Sequence, residues 1–435
     1  MQAYKRAAEA NPDQPVAWEG LQKFYEKQKT SSTNEHYLEV LKKLIEFYGE
    51  DFNKYFDISN KLAQLQLENQ DLAGSITTLR NQAVKAVDDQ EKHKEANASI
   101  IKVLTSQTSL NDEYNVYLLD ALEIAVNDNQ TPTNMENLKH LIKHYYKMKL
   151  IPKLVATAQK MIQIFPENIY PLEWICKVYL EWTANIWSVE DEDVFGNIEM
   201  YFTALKSFSE SNSLAMLAKG AFHYNQKSLS ECVEVLKSAT NNSSPNFFGL
   251  YILCLAYVDL RDESNVEISA AEALKYSSKV KGEDKRRVIV SFLNMTLLQS
   301  LYNQLSVEKV KKAMDVIPNC DLESAEVLCF AAKVYATLGF EEKAKDILTK
   351  YSDRLNPHTI NLIHALLLKS QGKFGESIEL MQNILTESPD EFEATVLLAQ
   401  MLFDRGEKEQ SFALFLKSAK LNPTHWLPFF YLGKN

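Results

Sequence analysis

Pro389 and Pro423 stand 34 residues apart, and each closes a segment with the same order of small and large residues. A chain ruled by such a period does not build one central core. Each unit covers its apolar face only on the next unit, so the core grows along one dimension. Reading back from Pro423 gives Leu398 and Ala399, Leu402, Gly406, Ser411, Phe415 and Ala419. Reading back from Pro389 gives His364 and Ala365, Leu368, Gly372, Ser377, Met381 and Leu385. Ala365 and Ala399 are small where two helices cross most closely, and Met381 and Phe415 are large where the space beside the crossing must be filled. A proline after the second helix forbids its continuation and sets the turn into the next unit.

The order matches the signature W-x2-L-G-x2-Y, A-x3-F, P of the tetratricopeptide repeat. The spacing therefore predicts an all-α chain, a tetratricopeptide-repeat α-solenoid in which helical hairpins wind into a right-handed superhelix. Further windows follow the same pattern: Leu328, Ala331, Ala332, Tyr335, Gly339, Ala344, Leu348 and Pro357; Gly220, Cys232, Leu236, Ala239 and Pro245; Leu250, Leu253, Cys254, Tyr257, Ala270 and Ala273; and Met161, Pro166, Leu172, Ile175, Cys176 and Tyr179. With only 12 Gly and 12 Pro in 435 residues, long helices joined by short turns are the simplest way to fold the rest.

The ends are read in the same register. Tyr4, Ala7, Ala8 and Pro12 form the second helix of a repeat, Trp18, Leu21 and Tyr25 open the next, and Phe429, Leu432 and Gly433 begin a first helix. The expected organisation is repeats over 1–30 with the first incomplete, irregular helical hairpins over 31–150, a repeat over 151–182, an acidic loop over 183–197, and repeats over 198–435 with the last truncated. A separate helical domain is the alternative for the degenerate stretch. Helix starts are still marked there, at 31–34, 111–113 and 131–134, by Ser, Thr and Asn that can cap a first turn. The raggedness at both ends is what a piece of a longer array would show.

No run of apolar residues approaches the roughly 18 needed to cross a bilayer. Cys176, Cys232, Cys254, Cys320 and Cys329 form no CxxC pair and read as reduced core thiols of a cytosolic protein. The net charge of −11 argues against strong direct nucleic-acid binding, which needs cations to neutralise phosphates. The short basic cluster Lys279, Lys281, Lys285, Arg286 and Arg287 is interrupted by Glu283 and Asp284 and reads as a solvated loop and helix start. His140 and His144 lie one helical turn apart, yet neither a following glutamate nor a third ligand is evident, so no metal site is assigned. Phosphate loops, dinucleotide fingerprints and nucleophile elbows do not occur in the sequence, so no catalytic residue and no cofactor is expected.

Function is then expected on the inner face, which the first helix of each hairpin lines. In the last three units the inward set is Cys329, Lys333 and Ala336; Leu362, Leu366 and Lys369; Val396, Gln400 and Phe403. A clamp for an acidic peptide terminus needs several inward Lys, Arg and Asn. This mixture is largely apolar and suits a protein segment, so Lys333, Leu362, Leu366, Gln400 and Phe403 are the candidate partner surface.

The N-terminal run YKRAAEANPDQPVAWEGLQKFYEK at 4–27 is more specific than a generic repeat. Together with IFPENIYPLEWIC at 164–176, FLKSAKLNP at 415–423 and FFYLG at 429–433, it resembles the superkiller complex subunit 3 family, the tetratricopeptide-repeat proteins of that complex. The resemblance implies a cytosolic scaffold, with a nuclear pool left open. Its implied partners are a superkiller-type RNA helicase and a WD-repeat subunit, and through them the RNA exosome and the ribosome, in 3′-to-5′ mRNA decay and surveillance. Other readings of the array are a co-chaperone or transport adaptor, or the repeat arm of a larger enzyme.

Overall fold

A computed structural model of the chain describes residues 2–28, 33–185, 192–209, 212–242, 246–280 and 282–434. Part of the expected acidic loop, the cap residues 31 and 32, Pro245 and Lys281 lie outside them. Among the described residues the regular structure is entirely helical. Two compact units divide the chain, one over Met1–Trp174 and one over Ile175–Asn435.

The first unit runs through α1 (Gln2–Ala10), α2 (Pro15–Lys27), α3 (Asn34–Phe47), α4 (Phe52–Glu68), α5 (Leu72–Lys85), α6 (Gln90–Thr105), α7 (Asp112–Ala125), α8 (Pro132–Lys147) and α9 (Ile151–Ile164), and ends in the first turn of α10 (Tyr170–Thr183). From α1 to α9 each helix packs on the next. The helix starts follow local chemistry. The side chains of Asp51, Asp71, Asp89, Asn111 and Thr131 accept hydrogen bonds from backbone N–H groups three residues on, which satisfies donors that have no intrahelical partner.

The second unit continues with α11 (Ile198–Phe208), α12 (Ser213–Asn225), α13 (Leu229–Asn242), α14 (Phe247–Asp259), α15 (Glu263–Lys275), α16 (Glu283–Asn303), α17 (Val307–Val316), α18 (Ala325–Thr337), α19 (Glu341–Tyr351), α20 (Pro357–Ser370), α21 (Phe374–Glu387), α22 (Phe392–Asp404), α23 (Lys408–Leu421) and α24 (Trp426–Leu432). The predicted crossing residues Ala365 and Ala399 are fully buried, as are Met381 and Phe415 beside them. One contact repeats with the sequence period. Ser377 Oγ donates to Ala365 O at 2.7 Å, and Ser411 Oγ donates to Ala399 O at 2.8 Å. The hydroxyl thus ties the second helix of each hairpin to the backbone of the first at their closest approach.

The turns within the last three complete hairpins share one geometry. Gly339, Gly372 and Gly406 carry φ of 77°, 78° and 86°, a region glycine enters without a Cβ penalty. The N–H three residues past each first helix then bonds a carbonyl five residues back: Phe340 to Tyr335, Lys373 to Leu368, Glu407 to Leu402. The same bond joins Asp71 to Gln66, Leu150 to Tyr145, Ser228 to His223 and Asp262 to Tyr257, where the positive-φ residue is Gln70, Lys149, Lys227 or Arg261. The hairpin turn therefore persists into the stretch where the sequence period fades.

Candidate partner-binding surface

The five candidate residues lie on three first helices: Lys333 on α18, Leu362 and Leu366 on α20, Gln400 and Phe403 on α22. Leu362 and Leu366 are only 4 % and 2 % exposed, because they belong to a continuous core with Leu397, Leu398 and Met401 of α22. The expectation that these two leucines line an open groove is thereby corrected. The apolar face of α20 is spent on joining hairpins and is not left for a partner. Gln400 and Phe403 are half-buried. Phe403 meets the ring of Tyr431 edge-on at 5.1 Å, and Tyr431 stacks on Phe415 at 4.7 Å, so α24 covers much of what α22 would present. Of the other inward residues, Ala336 and Val396 are fully buried, and burial holds the Lys369 ammonium below its ordinary range despite the nearby Asp404 carboxylate.

Lys333 is 8 % exposed and is not free either. Its Nζ lies 2.6 Å from Glu393 Oε2 of α22, and the Tyr302 hydroxyl at the end of α16 donates to Glu393 Oε1 at 2.5 Å. The rings of Phe330 and Tyr302 stand 5.3 and 5.5 Å from the ammonium and add cation–π attraction. Burial pulls the Lys333 pKa down, but the Glu393 carboxylate outweighs it and the net direction is upward. Tyr302, wholly buried beside the same carboxylate, is held neutral far above the usual phenol range.

A second contact lies beside the first. His425 Nδ1 accepts the backbone N–H of Leu427 at 3.2 Å, so its proton is on Nε2, which donates to Asn303 O at 2.8 Å. The indole N–H of Trp426 donates to Gln304 O at 3.1 Å. The last carbonyls of α16, which no helical turn can satisfy, are thus capped by side chains more than a hundred residues later. In a neighbour-only array such contacts would not exist. Sequence reasoning singled out Lys333 but missed Tyr302, Glu393, His425 and Trp426. No local signal pairs residues three or four hairpins apart.

In the first unit, a shallow cleft of about 460 Å³ opens between α4, α5 and α6, with Asn60, Gln64, Ser99, Lys102 and Ser106 on its walls. Glu26 and Asp57 both hold Lys61, at 2.9 and 3.0 Å, and Tyr48 hydrogen-bonds Glu19, so much of the charge on α2 and α4 is internally paired. His144 Nε2 is 2.6 Å from Asn115 O and buried; burial lowers its pKa, and that of His140. The thiols of Cys176, Cys232 and Cys254 are buried, and those of Cys320 and Cys329 are half-buried.

Residues 364–425, from the middle of α20 to the turn before α24, match the family model of the tetratricopeptide repeat. Along 99 % of its length the chain is 25 % identical to superkiller complex protein 3 of Homo sapiens and 24 % identical to the Mus musculus protein of that name. It is 23 % identical over the same share to tetratricopeptide repeat protein 37 of Xenopus laevis. The chain is a tetratricopeptide-repeat array similar to superkiller complex protein 3. It spans about 28 % of the length of these relatives. In this superkiller-3-like array, the stretch that matches the repeat model contains Glu393, whose partner Lys333 lies before it.

Proposed function

We propose that the chain belongs to the scaffold subunit of a superkiller-type complex and works through protein contacts, with no chemistry of its own. The observation that carries this reading is the similarity to superkiller complex protein 3, which runs through all but 1 % of the chain. A hairpin array supports such a role physically. It offers a long surface in which each unit is a rigid pair of helices, and successive units can engage different partners.

In this reading the scaffold organises an RNA helicase and a WD-repeat protein in the cytoplasm and so serves exosome-mediated 3′-to-5′ decay and surveillance of mRNA. The acidic net charge fits contacts with proteins better than a track for RNA. The test is affinity capture of the full-length gene product from cytosol, followed by identification of what stays bound at physiological salt. Recovery of a superkiller-type helicase together with a WD-repeat protein is the expected result. Absence of both from the bound fraction overturns the reading, and recovery of a chaperone or transport complex in their place would move the chain to another adaptor class.

A further inference from the structure

The pocket that holds the Glu393 carboxylate and the helix that supplies it come from different places in the array. Tyr302 closes α16, and Phe330 and Lys333 lie on α18. These helices pack directly against each other, so the ammonium, the hydroxyl and the flanking rings form one local assembly. Glu393 sits in the first turn of α22 and belongs to neither hairpin. It arrives by way of the hairpin α20–α21. Array geometry is a sum of small rotations between neighbours, so a modest change at the α18–α20 or α21–α22 junction withdraws Glu393 while α16 and α18 stay together. The receptor half would then present a desolvated ammonium, a phenol donor and two ring faces with no anion between them. Leaving them so is costly, which favours capture of another carboxylate.

We propose that Tyr302, Phe330 and Lys333 form a carboxylate-binding site for an acidic polypeptide segment, and that Glu393 is its built-in occupant, with His425 and Trp426 helping to hold the site shut. The site takes a single carboxylate through one N–H donor and one O–H donor, which differs from a clamp built of several inward basic residues. Closed, it keeps the inner face between α16 and α24 from binding acidic segments at random. Open, it exchanges an internal carboxylate for an external one. This inference rests on the reading of the chain as a protein-binding array, but its test does not pass through the complex. Failure of the test would leave the capture experiment unaffected, and the reverse also holds.

The probe is a fluorescein-labelled hexaglutamate peptide, with hexaglutamine as control, titrated at fixed ionic strength into the full chain and two variants. Glu393→Gln keeps the side-chain shape and removes the internal anion. The double variant Lys333→Gln with Glu393→Gln removes the receptor charge as well. If the wild-type site is open about one-tenth of the time, hexaglutamate binds Glu393→Gln about tenfold more tightly than the wild type, because apparent affinity scales with the competent fraction. That gain should vanish in the double variant, and hexaglutamine should show none. Equal binding by the wild type and Glu393→Gln, or a gain that survives in the double variant, overturns the proposal. Should Glu393→Gln lose its helical circular dichroism, the readout becomes refolding by sodium acetate against equal sodium chloride. Selective recovery in acetate supports the site, and identical behaviour in the two salts overturns it.

Discussion

Lys333 and Glu393 show why removing one partner of a buried ion pair differs from removing both. With side chains 11 % and 14 % exposed, neither charge regains much water if its partner is lost. Lys333→Met is expected to destabilise the second unit by about 3–5 kcal/mol, since a buried charge is left uncompensated. Combining it with Glu393→Leu should cost clearly less than the single change. Chemical denaturation of the three proteins checks this, and an additive loss would show that the pair is not coupled. His425 supplies a pH dependence. Burial lowers its folded pKa below the ordinary 6.5, although its bond to Asn303 pulls the other way. The charged form is thus disfavoured in the fold. Its contribution to stability is fully present above pH 6.5 and is lost as pH falls below that value. Melting temperatures at pH 7.5, 6.5 and 5.5 should therefore fall less on the acid side for His425→Gln than for the wild type.

At the scale of the element, the hairpin turn separates a conformation from the residue that usually marks it. Gly372 and Gly406 adopt positive φ at no steric cost, whereas Arg261 holds φ of 56° and Lys227 holds 60° with a Cβ present. Arg261→Gly is expected to stabilise the second unit by roughly 0.5–1 kcal/mol, as relief of the left-handed strain exceeds the added freedom of the unfolded chain. A lowered midpoint in urea would contradict this. Helix α16 illustrates a different point. At 21 residues it is half as long again as the 14-residue α20, and its C-terminal carbonyls are capped by His425 and Trp426.

At the scale of the whole molecule, the second unit departs from the one-dimensional logic of its fold. If hairpins were coupled only to neighbours, a change near α24 would leave α16 unaffected. Trp426→Phe keeps an aromatic ring and deletes only the donor to Gln304 O. It should raise amide exchange at the C-terminal turn of α16, more than a hundred residues away, as well as locally. Exchange confined to α23 and α24 would show that the closure carries no energy. A scaffold benefits from such closure, because hairpins tied at two distant points hold their relative orientation better than a simple chain of neighbours.

Much of the architecture was legible because it is local. The 34-residue period placed Ala365, Ala399, Met381 and Phe415 correctly, since helix crossings depend on residue size at fixed offsets. The capping residues Asn111 and Thr131 marked their helices for the same reason, each acting within three residues of itself. In 31–150 the period faded because turns such as that at Gln70 keep their geometry without glycine. The candidate surface was read less well. The inward direction of Lys333, Leu362 and Leu366 follows from helical spacing, but whether an inward side chain meets solvent, a core or a distant carboxylate depends on how neighbouring hairpins pack. Local spacing and side-chain size therefore determine the helices, their crossings and the repeat. Only the tertiary structure decides that α16 meets α22 and α24, because that contact depends on small rotations accumulated over two or three intervening hairpins, none of which leaves a mark at either end.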